Sequence, residues 1–333
     1  MATSKRSKAR RLAIFNHKGG VAKTTLTINV AVAIASLGKR VLLVDSDPQC
    51  NLTTHLLDAE VIDDLLDKSD LESGQTLWSA LKPISEALGD VKFIKPLELS
   101  YKNLFLIPGD IRLSEFETDL AEFWGQCLQR KQRGFRGTTA LSTLINKIST
   151  MEEVDYVFYD SGPNIGPLNR AILLDCDGFI APVACDSFSL RALKTLGRTL
   201  VQWISEWKTI SDLAPEDLYL LPGQPQFIGY IPQGFKVYGG KIAGNHSKYL
   251  SKIEKEIHSQ IVSHLQKLTP PLAMGRLSEF KLGEVKHFGS LVSASMDEGM
   301  ALADTKAGIP DQRQSAQKVF DSIARRIIEK SAG

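Results

Sequence analysis

The chain has 333 residues, 43% of them hydrophobic and 23% charged, with a formal net charge of +2. That length supports a large core in one or two domains, and so small a net charge excludes a chain that holds nucleic acid over its whole surface. No apolar run reaches the roughly 18 residues of a transmembrane helix, and the basic start MATSKRSKARR leads into an apolar stretch too short for a signal peptide, so a cytoplasmic protein is expected.

Residues 1–10 are expected to form a flexible basic tail, and 11–333 a single domain. Leu12–Phe15 is a short apolar run with the length of a buried strand. A polar loop, Asn16–Thr25, follows, and Leu26–Leu37 is rich in Ala, Val, Ile and Leu, which predicts a buried helix stopped by Gly38. Val41–Val44, ending at Asp45, is a second buried strand. Strand, loop, helix and strand make a βαβ unit with parallel strands.

The chain then turns acidic and irregular over about 58–100, where Asp63, Asp64, Asp67, Asp70, Glu72 and Glu86 suggest a helical elaboration. Strand-like runs recur at Leu104–Ile107, Tyr156–Tyr159, Phe179–Val183 and Phe227–Ile231. Helical patterns separate them at about 113–130, 139–150, 167–175, 187–208 and 245–267, and a last one covers 311–330. Continuous apolar strands alternating with helices predict an α/β fold, a mainly parallel sheet covered by helices on both faces. Cys50, Cys127, Cys176 and Cys185 form no C-x-x-C pair and have no His cluster beside them, so reduced, packed thiols are expected.

The strongest chemical signal is Lys18-Gly-Gly-Val-Ala-Lys-Thr24, set between a predicted strand and a predicted helix. Glycines let successive N–H groups turn toward one anion, and the helix N-terminus adds positive potential there. Lys23 is placed to reach the β- and γ-phosphates of ATP, Thr24 to ligand Mg²⁺, and Thr25 to meet the α-phosphate. His17 and Ala22 stand where the ordinary phosphate loop, G-x-x-x-x-G-K-[ST], has glycine. The deviant form, K-G-G-x-x-K-[ST], is matched in full. Alanine at position 22 requires a negative φ or some strain.

FNHKGGVAKTTLTINVAVAIASLGKRVLLVDSDPQCNLT closely resembles the ParA/MinD family of P-loop ATPases, and ParA more than MinD, through the deviant loop and Asp47-Pro-Gln-x-Asn51. NLFLIPGDIRLSEFETDL, DYVFYDSGPN and GFIAPVACDSFSLRAL resemble later family segments, and LGEVKHFGSLVSASM does so more loosely. Ser161-Gly-Pro-Asn differs from the family's usual D-x-[PS]-P after the Walker B strand.

The resemblance implies a homodimer with ATP sandwiched between subunits. Lys18 would reach across to the partner's phosphates, and Lys18, Gly19, Gly20, Val21, Ala22, Lys23, Thr24 and Thr25 would cradle the nucleotide. Asp47 would position the attacking water. Asp160, with Thr24, would hold Mg²⁺, while Asp45 would support the Mg²⁺ shell or the loop, and Pro232 would pack the base.

The implied activity is slow ATP hydrolysis stimulated by a ParB-like partner. The ATP-bound dimer would bind DNA without sequence preference and associate with the nucleoid, for DNA partitioning or cargo positioning. Arg325, Arg326 and Lys330, or Lys236, Lys241 and Lys248, could supply the phosphate-facing surface. Alternatives are a MinD-like ATPase placed on membrane by an amphipathic terminal helix, and a ParA-fold regulator of another assembly. A nitrogenase-reductase type would need cysteines placed to share an iron–sulfur cluster, and the scattered cysteines here argue against it.

Overall fold

The structure is a computed structural model that describes residues 8–331 apart from 236, 239, 240 and 243. Its strands are β1 (Arg10–Ile14), β2 (Val41–Asp45), β3 (Leu97–Glu98), β4 (Leu104–Ile107), β5 (Tyr156–Asp160), β6 (Gly178–Ala184), β7 (Gln226–Phe235), β8 (Val237–Tyr238), β9 (Lys241–Ile242) and β10 (Val285–Lys286). Eight of them form one sheet in the order β10-β7-β6-β1-β5-β2-β4-β3, while β8 and β9 make a separate antiparallel pair. Every neighbouring pair in the large sheet is parallel except β3 with β4.

Every residue of β2, β4 and β5 is buried. This is the physical reason their sequences are continuous apolar runs rather than alternating ones: helices cover both faces. The helices are α1 (Lys23–Ser36), α2 (Asn51–Leu56), α3 (Ala59–Asp67), α4 (Leu77–Ser85), α5 (Leu113–Leu128), α6 (Gln132–Thr138), α7 (Ala140–Met151), α8 (Pro167–Asp175), α9 (Ser187–Ser211), α10 (Gly244–Glu256), α11 (Ser263–Leu268), α12 (Ser290–Asp297) and α13 (Pro310–Ser331).

Leu12, Ile14, Val41 and Leu43 point into the core shared with α1, α12 and α13. Ala13, Phe15, Leu42 and Val44 point into the opposite core, filled from α4 to α9. The apolar side of α13, formed by Ala316, Phe320, Ile323, Ala324 and Ile327, is buried in the first of these cores. Among the described residues no helix is long and apolar enough to cross a membrane.

The sheet that the alternation of strands and helices predicts is present, with some local differences. Arg10 opens β1 and Ala9 is buried, so the body of the domain begins before residue 11; residues 1–7 lie outside the described residues. The elaboration at 58–100 consists of α3, α4 and the short edge strand β3. Residues 132–138, not expected to be helical, form α6, which packs directly on α5. A Cβ on Gly134 would lie 2.6 Å from the backbone nitrogen of Cys127, and one on Gly137 would enter the Phe123 ring. These glycines weaken the helical pattern and at the same time permit the close packing. All four cysteines are buried, and no disulfide joins any of them.

Candidate functional site

The site lies where β1, β5 and β2 end side by side. Phe15 N donates to Ile180 O of β6 at 2.9 Å. The buried Asn16 then donates through Nδ2 to Pro182 O (2.8 Å) and accepts from Lys18 N (3.0 Å). Asn16 thus fixes the start of the phosphate loop to the neighbouring strand. Gly20 takes a φ of +69° and Ala22 a φ of +49°. The left-handed turn expected of glycine is therefore made by an alanine, at the cost of local strain. No side chain caps the N-terminus of α1, so its first N–H groups stand ready for an anion.

Lys23 opens α1 and is buried. Burial lowers its pKa, and the carboxylates of Asp160 and Asp47 oppose that effect. Thr24 Oγ1 donates to Asp160 Oδ2 at 2.7 Å, and Thr27 Oγ1 lies 3.3 Å from the other oxygen. Asp160 is the last residue of β5, and burial pushes its pKa up to about 6 against those hydrogen bonds and the charge of Lys23. A hydroxyl beside a carboxylate, with the Ser161 hydroxyl buried and unpartnered next in the chain, is an oxygen donor set of the kind Mg²⁺ takes.

Asp47 is buried, and its Oδ1 accepts from Gln49 N at 3.0 Å. It faces the loop after β5: a Cβ on Gly162 would lie 3.2 Å from Asp47 Oδ1, and one on Gly19 3.8 Å from Pro163. The phosphate loop, the Asp47 segment and the loop after β5 therefore converge. Asn169 of α8 secures the last of these, donating through Nδ2 to Gly162 O and Asn164 O, both at 3.0 Å.

Asp45 is held by its own set of hydrogen bonds. Its Oδ2 accepts from Thr53 N (2.8 Å) and Thr53 Oγ1 (2.6 Å), and its Oδ1 from Asp47 N (3.3 Å). Thr53 Oγ1 in turn accepts from Gly109 N at 2.8 Å. Asp45 is thus a fastener between β2, α2 and the turn after β4, and its carboxylate is turned to Thr53 rather than to Thr24. Burial first, and the charge of Asp160 next, push its pKa up to about 7.

Lys18 does not point out to solvent. Its Nζ meets Asp186 Oδ2 at 2.5 Å and Ser189 Oγ at 3.0 Å. Asp186 also caps α9 by accepting from Ser189 N at 2.7 Å. Burial pushes Asp186 up, but the bonds from Lys18 and Ser189 outweigh it and hold the carboxyl below its ordinary range. Pro232 is buried in β7 opposite Val183, two strands from β1.

Of the basic residues considered for a phosphate-facing surface, Arg325 is exposed. Arg326 donates to Lys281 O at 3.0 Å, and Lys330 lies over the Phe280 ring. Lys248 is exposed; Lys236 and the Lys241 side chain fall outside the described residues. Sequence reasoning missed Asn16, Thr27, Thr53, Asn169 and Asp186. Only Asp186, three residues before the serine whose N–H it caps, carried a readable signal.

Residues 9–212 match the family model described as AAA domain. The chain is 31% identical over 189 residues to the sporulation initiation inhibitor protein Soj of Bacillus subtilis, covering 57% of this chain and 64% of that one. It is 31% identical over 190 residues to the chromosome partitioning protein ParA of Caulobacter vibrioides, covering 57% and 61%. Both matches thus span a little under two thirds of the relative's own length. The crystal structure of protein DIP2308 from Corynebacterium diphtheriae superposes with a TM-score of 0.73 at 25% identity, covering 96% of this chain and 98% of that one.

Proposed function

The chain belongs to the AAA domain family and, within it, to the ParA/MinD P-loop ATPases, and on that premise we propose that it is an ATP-switched dimer that binds DNA without sequence preference and lets go on hydrolysis. The observation that carries this is the convergence of Lys23, Thr24, Asp47 and Asp160 beside an uncapped helix N-terminus.

In this proposal Gly19, Gly20, Val21, Ala22 and Thr25 cradle the phosphates, and Lys23 neutralises the β- and γ-oxygens. Thr24 Oγ1 and Asp160 would hold Mg²⁺, which would further neutralise phosphate charge. Asp47 accepts a hydrogen bond from water and aims its oxygen at the γ-phosphorus. A new P–O bond forms, the bridging β–γ P–O bond breaks, and ADP and phosphate leave. Such a reaction depends on placement and charge rather than on a strong base. Lys18 leaves Asp186 and supplies its charge to the second copy's γ-phosphate, which makes turnover depend on dimerisation. A ParB-like partner speeds that step, and DNA partitioning or cargo positioning is the use. Pro232, in a strand two places from β1, packs the base, which lies at the far end of the nucleotide from Lys23. The membrane-positioned alternative is disfavoured by α13, whose apolar side is already committed to the core.

The test is binding of random-sequence duplex DNA by the wild type and Asp47→Ala, with ATP–Mg²⁺ and with ADP, over a salt series. Binding only with ATP, prolonged in Asp47→Ala and weakened by salt, supports the proposal. DNA binding that ignores the nucleotide, or none in any state, removes DNA from it.

A further inference from the structure

A half-buried carboxyl stands behind the loop that faces Asp47. Glu117 lies in the second turn of α5, and its Oε1 is enclosed with no hydrogen-bond partner among the described residues. Burial pushes its pKa up, the backbone N–H of Leu168 opposes that effect, and the charge of Asp47 adds to it. The carboxyl thus sits between the start of α8 and the Asp47 segment.

α8 begins at Pro167, which has no N–H, after Gly166, which has no side chain to cap it. Leu168 therefore brings the first N–H of the helix. The carboxylate that meets it comes from α5 and not from a residue next in sequence. Negative charge is favoured at that end of a helix. The approach is close: a Cβ on Gly166 would run into Glu117 Oε1 and lie 2.9 Å from its Cδ. Gly166 has an ordinary φ of −97°, so the glycine makes room for the carboxylate rather than a left-handed turn.

The loop held in this way is the one that reaches Asp47. A Cβ on Gly162 would lie 3.2 Å from Asp47 Oδ1. Gly166 N donates to Asn164 Oδ1 at 3.1 Å, and Asn169, in the first turn of α8, binds Gly162 O and Asn164 O. The loop is tied to the first turn of α8, and that turn is tied to Glu117. Taking Asp47 as the residue that aims the water, the reading on which this rests, we propose that Glu117 is a positioning residue for ATP hydrolysis. From α5 it holds the start of α8, and with it residues 161–166, where they keep Asp47 in line. It acts through Asp47 and not on the nucleotide, so its loss shows in the rate of chemistry and not in ATP binding.

The test compares the full-length wild type with Glu117→Ala, Glu117→Gln, Gly166→Ala, Asp47→Ala, and Asp47→Ala combined with Glu117→Ala. Calorimetry reads ATP affinity, single-turnover phosphate release reads chemistry, and urea denaturation checks folding. Glu117→Ala should slow phosphate release by about ten- to a hundredfold and keep ATP affinity within about twofold of wild type. Glu117→Gln keeps an acceptor for the Leu168 N–H and loses the charge, and should release phosphate within about fivefold of the wild-type rate. In the Asp47→Ala background Glu117→Ala should slow nothing further, because the residue it acts through is gone. Gly166→Ala pushes the carboxylate aside and should slow release as Glu117→Ala does; it tests the same contact should Glu117→Ala fail to fold. Wild-type release in Glu117→Ala or Gly166→Ala, beside a slow Asp47→Ala, would overturn this proposal and leave the Asp47 reading standing. So would an equal loss of rate with and without Asp47, or a loss of ATP affinity as large as the loss of rate. Wild-type release in Asp47→Ala would remove the Asp47 reading and this proposal with it.

Discussion

Lys18 Nζ and Asp186 Oδ2 form an ion pair at 2.5 Å inside a single chain. The lysine expected to act on a second copy is therefore already engaged at home, and the proposed dimer would exchange one anion for another. The pair is partly exposed, at 24% and 41% for the two side chains, so its worth is about 0.2–1 kcal/mol. Asp186→Asn keeps an α9 cap and removes the charge. Because both copies give up the pair, it should tighten the ATP-dependent dimer by about two- to thirtyfold, measured by sedimentation with ATP–Mg²⁺. A weaker dimer would show that Asp186 assists the lysine rather than competing for it.

In the proposed mechanism Lys23 serves binding and Asp47 serves chemistry, and two variants test that division. Lys23→Ala should lose ATP binding, read by titration calorimetry. Asp47→Ala should bind ATP with near wild-type affinity while single-turnover phosphate release falls about a hundredfold. Equal turnover in Asp47→Ala and wild type would assign the water to another residue.

The left-handed Ala22 predicts a stabilising substitution. Its φ of +49° strains an L-residue and suits glycine. Ala22→Gly should raise the unfolding free energy by up to about 1 kcal/mol and leave ATP affinity intact. Urea denaturation reads the first effect and calorimetry the second. A destabilised variant would mean that the entropy of the added glycine outweighs the strain relieved.

At the opposite end of the sheet, buried Arg11 donates to Asp175 Oδ1 at 2.6 Å, to Ser142 Oγ at 2.8 Å and to Asn146, while Tyr159 OH donates to Asp175 Oδ2 at 2.7 Å. Burial works against the guanidinium charge, and Asp175 and the two tyrosines Tyr159 and Tyr219 outweigh it. Asp175→Ala strands that charge and should cost about 3–5 kcal/mol in urea denaturation. Asp175 makes no hydrogen bond to the P-loop among those described, so ATP affinity should persist below the unfolding transition. A much smaller loss would mean that water or a neighbour replaces the carboxylate.

The strands were legible because burial on both faces leaves apolar runs ending in Asp45 and Asp160. The phosphate loop was legible because its spacing is chemical. Less legible was whatever depends on partners distant in the chain. Nothing local marks Arg11 as the partner of Asp175, or Asn169 as the holder of Gly162. Asp45 stood beside the DPQ segment and could have faced the metal site or the loop; its hydrogen bond from Thr53, eight residues on, was not readable. Helix α6 was hidden by the glycines that let it approach α5. Pro232 was carried by family resemblance alone, and its strand lies apart from the phosphate loop.

The strand order carries a consequence for how the molecule is made. β1 and β2 do not pair with each other, because β5 lies between them. A ribosome that has released the phosphate loop and the Asp47 segment has yet to supply the strand that joins them. The nucleotide pocket is therefore closed by a contact between residues far apart in the chain, of the slow kind in folding. Until Tyr156–Asp160 emerges and inserts, the nascent chain presents two unpaired apolar strand edges, a stage at which chains are prone to aggregate. ATP can steady only what comes after.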